Sequence, residues 1–341
     1  MKFDFIIGNP PYQDDSVGDQ KNFASPVYNI FMDAVYQIAD KVELIHPARF
    51  LFNAGATPTE WNKKILNDPH FKILYYEQDS SKIFPHTDIK GGIVVSYHDS
   101  NKNFGGIKIF TPYSELNSIL NKVTNFKTFK PISHIIHNRG LYRFSDYIYN
   151  TYPEEMKVFS DSRIGASSFQ RLPKLFIEET PIDDEKYILF LGLLNAKRVY
   201  RWFNTKFFNP VKNLYNYKVL IPAASGAGVF GEILTAPLIG EPKIAHTETF
   251  LSVGDFVTKN EAESCLKYIK SKLCRAMLGI LKITQHLSSE KWEYVPLQDF
   301  TSNSDIDWSK SIPEIDRQLY AKYSLDEKEI EFIETHVKEM E

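Results

Sequence analysis

At 341 residues, with 43% hydrophobic and 24% charged side chains, the chain is long enough for two domains that each bury a core. Its longest unbroken apolar run, YILFLGLL at 187–194, is too short to span a bilayer, and the N-terminus lacks the basic and apolar regions of a secretory signal, so a cytoplasmic protein without a membrane segment is expected. The net charge of -3 hides a segregation: residues 121–220 hold 16 Lys and Arg against 9 Asp and Glu, residues 291–341 hold 6 against 13, and the basic middle favours a polyanionic partner.

In chain order, FDFIIG at 3–8 reads as a short buried strand stopped by glycine and proline. In SPVYNIFMDAVYQIAD a proline stands at a first helical position, and Ile30, Phe31, Ala34, Val35 and Ile38 recur at helical spacing. KVELIHPARFLF gives a second strand, TEWNKKILND a second helix and FKILYYEQ a third strand. Such alternation predicts parallel pairing with helices on the sheet faces and ligands beyond the carboxyl ends of the strands. GGIVVSYH and GGIKIF, separated by a polar loop, predict a hairpin that ends the sheet.

From about residue 113 the pattern is mixed. A short helix in YSELNSILNKV is followed by an aromatic and basic region to about 218 and by the strand-like YKVLIPAAS. One long helix then starts at Asn260 with Glu263 three residues on, and carries Ala262, Cys265, Leu266, Ile269, Leu273, Ala276, Met277 and Ile280 on one face. Cys265 and Cys274 suit small core residues, and no Cys/His spacing resembles a zinc site, so no metal is expected.

The candidate site is NPPY, residues 9–12, at the end of the first strand. Pro10 and Pro11 lack a backbone N–H and have fixed φ, so this corner is stiff and rich in acceptors. The Asn9 side-chain carbonyl and the Pro10 backbone carbonyl can accept both hydrogens of an exocyclic amine on a base, which aims the nitrogen lone pair outward. Tyr12 offers a flat face for an extruded base. The same string also suits a plain turn with a packed tyrosine.

FDFIIGNPPYQ, SPVYNIFMDAVYQIADKVELIHPARFLF, SKIFPHTDIKGGIVVSY, KITQHLSSEKWEYVP and SDIDWSKSIPEIDRQLYAKYSLDEKEIEFIETHV resemble the adenine-specific DNA methyltransferases of bacterial restriction-modification systems, in the class whose target-recognition domain follows the catalytic domain. The resemblance implies an α/β fold, a partial Rossmann-like methyltransferase sheet over residues 1–112 followed by an α+β target-recognition domain over 113–341. It implies that Asn9 and Pro10, backed by Pro11, bind the target amine, that Tyr12 stacks on the flipped adenine, that S-adenosylmethionine gives the methyl group, and that Phe84 in KIFP closes the other face of the base. Phe84 also suits a core position.

The chain departs from that family because the cofactor-binding half should precede NPPY, where only eight residues stand. A split enzyme whose partner subunit supplies that lobe, a fragment whose N-terminal segment is missing, and a relic that binds DNA without methylating it all fit. An incomplete sheet leaves an unpaired edge beside residues 3–8. Gly226, Gly228 and Gly231 fit G-x-G-x-x-G after a strand-like run, but VFGEILTAPLIGEPK reads as strand and turn, which weighs against a cofactor loop. In the basic middle Arg139, Arg143, Arg163, Arg171, Lys174, Lys197, Arg198, Arg201, Lys206, Lys212 and Lys218 interleave with aromatics such as Tyr142, Phe144, Tyr147, Phe169, Tyr200, Trp202, Phe207 and Phe208. As a set they suit contact with double-stranded DNA, whereas any one of them suits a solvated face over an aromatic core. The second functional reading is a DNA-specificity module of a restriction complex without catalysis of its own.

Overall fold

The computed structural model describes residues 2–14, 25–52, 56–87, 89, 91–282 and 284–340. The chain divides into two units, Met1–Ser114 and Glu115–Glu341. No described helix is long and apolar enough to cross a membrane.

The first unit contains β1 (Phe3–Gly8), α1 (Tyr28–Ile38), β2 (Ala39–Pro47), α2 (Thr59–Asn67), β3 (Phe71–Glu77) and β4 (Ile93–Asp99). The strands form one sheet in the order β1-β2-β4-β3. β1 runs parallel to β2, with Phe3 opposite Ala39 and Gly8 opposite Leu44, so the expected strand-helix-strand crossover is present once. The rest of the sheet differs from the parallel expectation. β4 is antiparallel to both β2 and β3, because the loop after β3 turns the chain straight back between them. GGIKIF forms no strand: Gly105, Gly106 and Lys108 all take positive φ, and Lys108 donates its N–H to the Leu66 carbonyl at 2.7 Å, folding the segment back onto α2.

Val42, Leu44 and Val94 pack with Met32 and Val35 of α1 and with Trp61 and Ile65 of α2 around Phe50. His46 lies within the same layer; its Nδ1 faces the Pro47 carbonyl at 3.2 Å and its Nε2 the Ser96 hydroxyl at 2.7 Å. A carbonyl only accepts, so Nδ1 carries the proton and Ser96 donates to Nε2. Burial pushes the His46 pKa down to about 4.

β1 is not the buried strand expected. It is an edge of the sheet, and Phe3, Phe5 and Ile7 are 44%, 46% and 72% exposed. Four of the five residues read as the core stripe of α1, Ile30, Phe31, Ala34 and Ile38, also face outward, while Tyr28, Met32 and Val35 turn in. The helix is apolar on both sides, and periodicity alone could not select the packed one.

The second unit runs from α3 (Ser114–Thr124) through β5 (Ile136–His137), β6 (Arg143–Phe144), α4 (Asp146–Thr151), α5 (Pro153–Met156) and α6 (Ser168–Arg171). It continues with β7 (Tyr187–Leu194), β8 (Lys197–Asn204), β9 (Phe208–Asn209), β10 (Tyr217–Pro222), β11 (Leu238–Gly240), β12 (Ile244–His246) and β13 (Phe250–Phe256). The helices α7 (Lys259–Lys270), α8 (Lys272–Gly279), α9 (Ile312–Lys322) and α10 (Glu327–His336) follow. Its sheets have the orders β11-β10-β13-β5, β12-β7-β8 and β6-β9. Tyr142, Phe144, Phe176, Phe190, Phe203 and Phe208 fill one core, with Phe176 and Phe203 stacked at 4.0 Å between ring centroids.

The single long helix expected from residue 260 is two helices. Ser271 is extended, and its side chain accepts the Cys274 N–H at the start of α8, so the chain is re-capped where the helix breaks. The cap of α7 is Thr258 with Glu261, not Asn260 with Glu263. Cys265 and Cys274 are fully buried, one on each helix.

Candidate functional site

In the first unit the strand register gathers three loops at one end of the sheet. Gly8 lies opposite Leu44, and Pro47 and Glu77 both lie opposite Ile93, so residues 9–12, 48–52 and 78–92 leave the same end. This is the carboxyl end of β1 and β2, where α/β sheets leave room for ligands. Asn9 and Pro11 are exposed, Pro10 is buried and Tyr12 is half-buried. The loop is tied at its far side: the Tyr12 carbonyl accepts the Val27 N–H at 3.2 Å, and the Asp14 N–H donates to the Ser25 carbonyl at 2.9 Å. The corner is thus clamped between the end of β1 and the start of α1, with the Asn9 side chain left in solvent.

The Tyr12 hydroxyl is buried and has no hydrogen-bond partner among the described residues. Burial raises its pKa, and the neighbouring Asn9 side chain opposes the rise without meeting the geometry of a hydrogen bond. A buried hydroxyl without a partner costs stability, so a packing role alone would favour phenylalanine here.

Phe84 is half-buried and stands outside the core cluster of this unit. Sequence reasoning missed what positions it. The Phe84 N–H donates to the Ser80 carbonyl at 2.8 Å, and its own carbonyl accepts the Thr87 hydroxyl at 2.7 Å. Ser80, itself buried, accepts the Ile89 N–H at 2.8 Å and so closes the loop on itself. Gly92 at φ +83 ends that loop, where an added Cβ would sit 2.4 Å from the Glu77 carbonyl oxygen. The glycine pair in KGGIV carried this signal, although it read as the start of a hairpin.

In the second unit the structure brings together three of the eleven basic residues singled out, Arg139, Arg143 and Arg163. Arg143 and Arg163 are directly opposite each other in an antiparallel bridge, flanked by Phe144 N–H to Ser162 O at 2.7 Å and Ile164 N–H to Tyr142 O at 3.1 Å. Arg139 joins them by donating Nε–H to the Glu248 carbonyl at 3.3 Å. Asp161 accepts from Arg163 Nε at 3.0 Å and Nη2 at 2.6 Å, and Glu248 lies 3.6 Å from Arg163 Nη1. Hydrogen bonds from Arg163, with Arg143 adding charge, pull the Asp161 pKa down to about 2.

Elsewhere, Arg171 donates to the Val158 carbonyl and lies over Phe159, Arg198 donates to the Ala236 carbonyl at 2.6 Å, and Arg201 pairs with Glu178 at 3.1 Å. Lys197 is exposed at the start of β8. Lys218, read as one of the basic set, is fully buried: its ammonium donates to the carbonyls of Asn213 at 2.8 Å and Asn216 at 3.1 Å, and burial lowers its pKa to about 8. Tyr142, Phe144, Phe169 and Phe208, read among the aromatics, belong to the core.

The glycine triplet does not fit a cofactor phosphate. Gly226, Gly228 and Gly231 all have positive φ, but no helix follows them. The N–H groups of Ala227 and Gly228, at 2.7 and 2.9 Å, already donate to the Glu232 carboxylate, which also accepts from Lys282. Among the described residues, no group of three or more His, Cys, Asp or Glu side chains is placed to hold a metal.

Comparison with known proteins places this geometry in context. Residues 1–84 match the family described as Eco57I restriction-modification methylase. Over 95 residues the chain is 34% identical to a protein of Mycoplasma pneumoniae (strain ATCC 29342 / M129 / Subtype 1) described as an uncharacterized adenine-specific methylase; the match covers 27% of this chain and spans 22% of that relative's length. Among solved structures, the chain is similar to the type IIG restriction endonuclease BpuSI, at 12% identity and a TM-score of 0.33 over 93% of this chain and 49% of that one. It is also similar to the type IIL restriction-modification enzyme MmeI in complex with DNA, at 11% identity and a TM-score of 0.41 over 97% of this chain and 56% of that one.

Proposed function

We propose that the chain is the catalytic and target-recognition part of a site-specific adenine DNA methyltransferase of a restriction-modification system. The observation that carries this reading is the NPPY corner, exposed at Asn9 and clamped at the carboxyl end of a parallel strand pair, within the segment that matches the methylase family. A flipped adenine enters with its exocyclic amine toward Asn9. The Asn9 side-chain carbonyl and the Pro10 carbonyl accept the two amine hydrogens, Tyr12 stacks on one face of the base and Phe84 closes the other. When bound, S-adenosylmethionine supplies the methyl group. The two acceptors would hold the amine nitrogen with its lone pair directed outward; with the cofactor there, its sulfonium S–C bond would break as the N–C bond forms, leaving a neutral thioether, and one amine proton would pass to solvent. No side-chain nucleophile is needed, which agrees with Cys265 and Cys274 being buried with thiol pKa values raised by burial.

The lobe that holds the cofactor comes from other polypeptide, either a partner subunit or a preceding segment. This rests on the exposed β1 edge and on Phe3, Phe5, Ile7, Ile30, Phe31 and Ile38, since parallel strands are ordinarily covered on both faces. The internally filled glycine loop is the observation that favours the second reading, a recognition module without catalysis.

The test is methylation of duplex DNA by the chain together with candidate partner polypeptides, read by mass spectrometry of the nucleosides. N6-methyladenine that disappears with Asn9→Ala is the expected result. Calorimetric silence toward S-adenosylmethionine in every combination, with DNA binding intact, would leave only the recognition module.

A further inference from the structure

The bridge between Arg143 and Arg163 is a costly arrangement. Directly opposed residues of an antiparallel pair project side chains to the same face, and like charges there repel. The neighbourhood offsets this only in part: the carboxylates of Asp161 and Glu248 both lie against Arg163, whereas Arg139 reaches the Glu248 backbone carbonyl. The patch is also built. Gly140, at φ +76, lets the turn pass so close that an added Cβ would lie 2.6 Å from the Arg163 side chain, and Glu248 is fixed by the Ala166 N–H at 3.2 Å. Arg143 donates to the Ser162 hydroxyl at 3.1 Å, which leaves most of its five donors turned to solvent.

We propose that Arg139, Arg143 and Arg163 form a phosphate-gripping patch by which the second unit holds duplex DNA, with Asp161 as an internal competitor that DNA displaces. The inference rests on the reading of this chain as a DNA enzyme and goes beyond it by separating three arginines from a basic set that sequence treats as uniform. A backbone phosphate accepts bidentate bonds from a guanidinium as a carboxylate does, so it can take over the Nε and Nη2 donors that Arg163 now gives to Asp161. Each phosphate neutralised releases counterions, which makes the contact countable by its salt dependence.

The experiment is fluorescence anisotropy of the full chain on a labelled mixed-sequence duplex of about 30 base pairs over a salt series, with thermal melts by circular dichroism to check folding. Arg139→Gln, Arg143→Gln and Arg163→Gln are each expected to reduce the slope of log affinity against log salt by about 1, and the Lys variants to keep it. Lys328→Gln, at an exposed lysine of α10, leaves it unchanged. Asp161→Asn is expected to tighten binding about two- to fivefold at low salt, an effect that a merely structural ion pair would not give. Gln variants that fold and bind with the parental slope, together with no gain from Asp161→Asn, overturn the patch while leaving DNA binding in place. A parent chain that fails to bind the duplex at any salt overturns both.

Discussion

Lys282 and Glu232 form a buried ion pair at the foot of the 226–231 loop, and the same carboxylate accepts the Ala227 and Gly228 N–H groups. Burial would raise the Glu232 pKa, but Lys282 and the two N–H donors outweigh it and hold the carboxyl ionised. Glu232→Ala leaves a buried ammonium and two amide donors without their acceptor. The expected cost is about 3 to 5 kcal/mol in urea unfolding. A cost below about 1 kcal/mol would mean that the loop is held by something else.

Tyr12 allows stacking and packing to be separated, because its hydroxyl is buried without a partner among the described residues. Tyr12→Phe is expected to keep both stability and methyl transfer, whereas Tyr12→Ala lowers methylation by removing about 1 to 3 kcal/mol of stacking. Asn9 is exposed, so Asn9→Ala should leave the melting temperature unchanged and reduce the methylation rate by about a hundredfold or more. Equal rates for Asn9→Ala and parent in the reconstituted assembly would remove the amine grip from the mechanism.

The β7–β8 hairpin turns through Asn195 and Ala196, at φ 51° and 60°. Two left-handed residues define the tight turn that suits twisted strands, and asparagine tolerates the first position. Alanine at the second carries the Cβ penalty. Ala196→Gly is expected to raise stability by about 0.5 to 1 kcal/mol in chemical unfolding, and a loss instead would mean that the alanine methyl packs.

His46 in the first unit and His246 in the second are wired alike. Each directs Nδ1 to the carbonyl of the next residue and Nε2 to a serine hydroxyl, Ser96 or Ser252. Burial lowers both pKa values to about 4 from the ordinary 6.5. The unfolded chain therefore binds more protons below 6.5. Stability is fully present above pH 6.5 and lost as pH falls toward 4, on the order of 3 kcal/mol for each histidine. His246→Asn should flatten this acid limb for the second unit in a pH series of urea melts, and an unchanged limb would assign it to other groups.

The β1 edge should also govern association. Ile7 is 72% exposed on a strand whose outer edge is unpaired among the described residues. Ile7→Lys is expected to shift the isolated chain toward monomer in sedimentation velocity and to weaken assembly with a cofactor-binding partner. Unchanged association in both would mean that the edge is not the contact.

The strand before NPPY, the helix after it and the β2 strand were legible because each is short, carries recurring apolar residues and meets a proline or glycine at one end. Their outward and inward faces were not. α1 is apolar around most of its circumference, so only the packing of Tyr28, Met32 and Val35 against β2 reveals which side is core. The placement and direction of β4 were hidden for a related reason: strand patterns are the same whether a neighbour runs parallel or antiparallel, and the loop closed by Ser80 and Gly92 turns β4 back between β2 and β3. In the second unit, basic and aromatic residues share one composition but three fates: Phe190 and Phe203 form core, Lys218 caps carbonyls inside it, and Arg139, Arg143 and Arg163 meet at the surface.

Sequence by itself determined that the strand end is stiff and poor in donors, since an amide followed by two prolines and a tyrosine restricts N–H groups and φ wherever it occurs. Tertiary structure alone decided that the glycine triplet is filled from within and that three distant arginines converge. Both depend on contacts between segments 5 to 109 positions apart, and a local pattern holds no information about which distant group will satisfy a charge or an N–H.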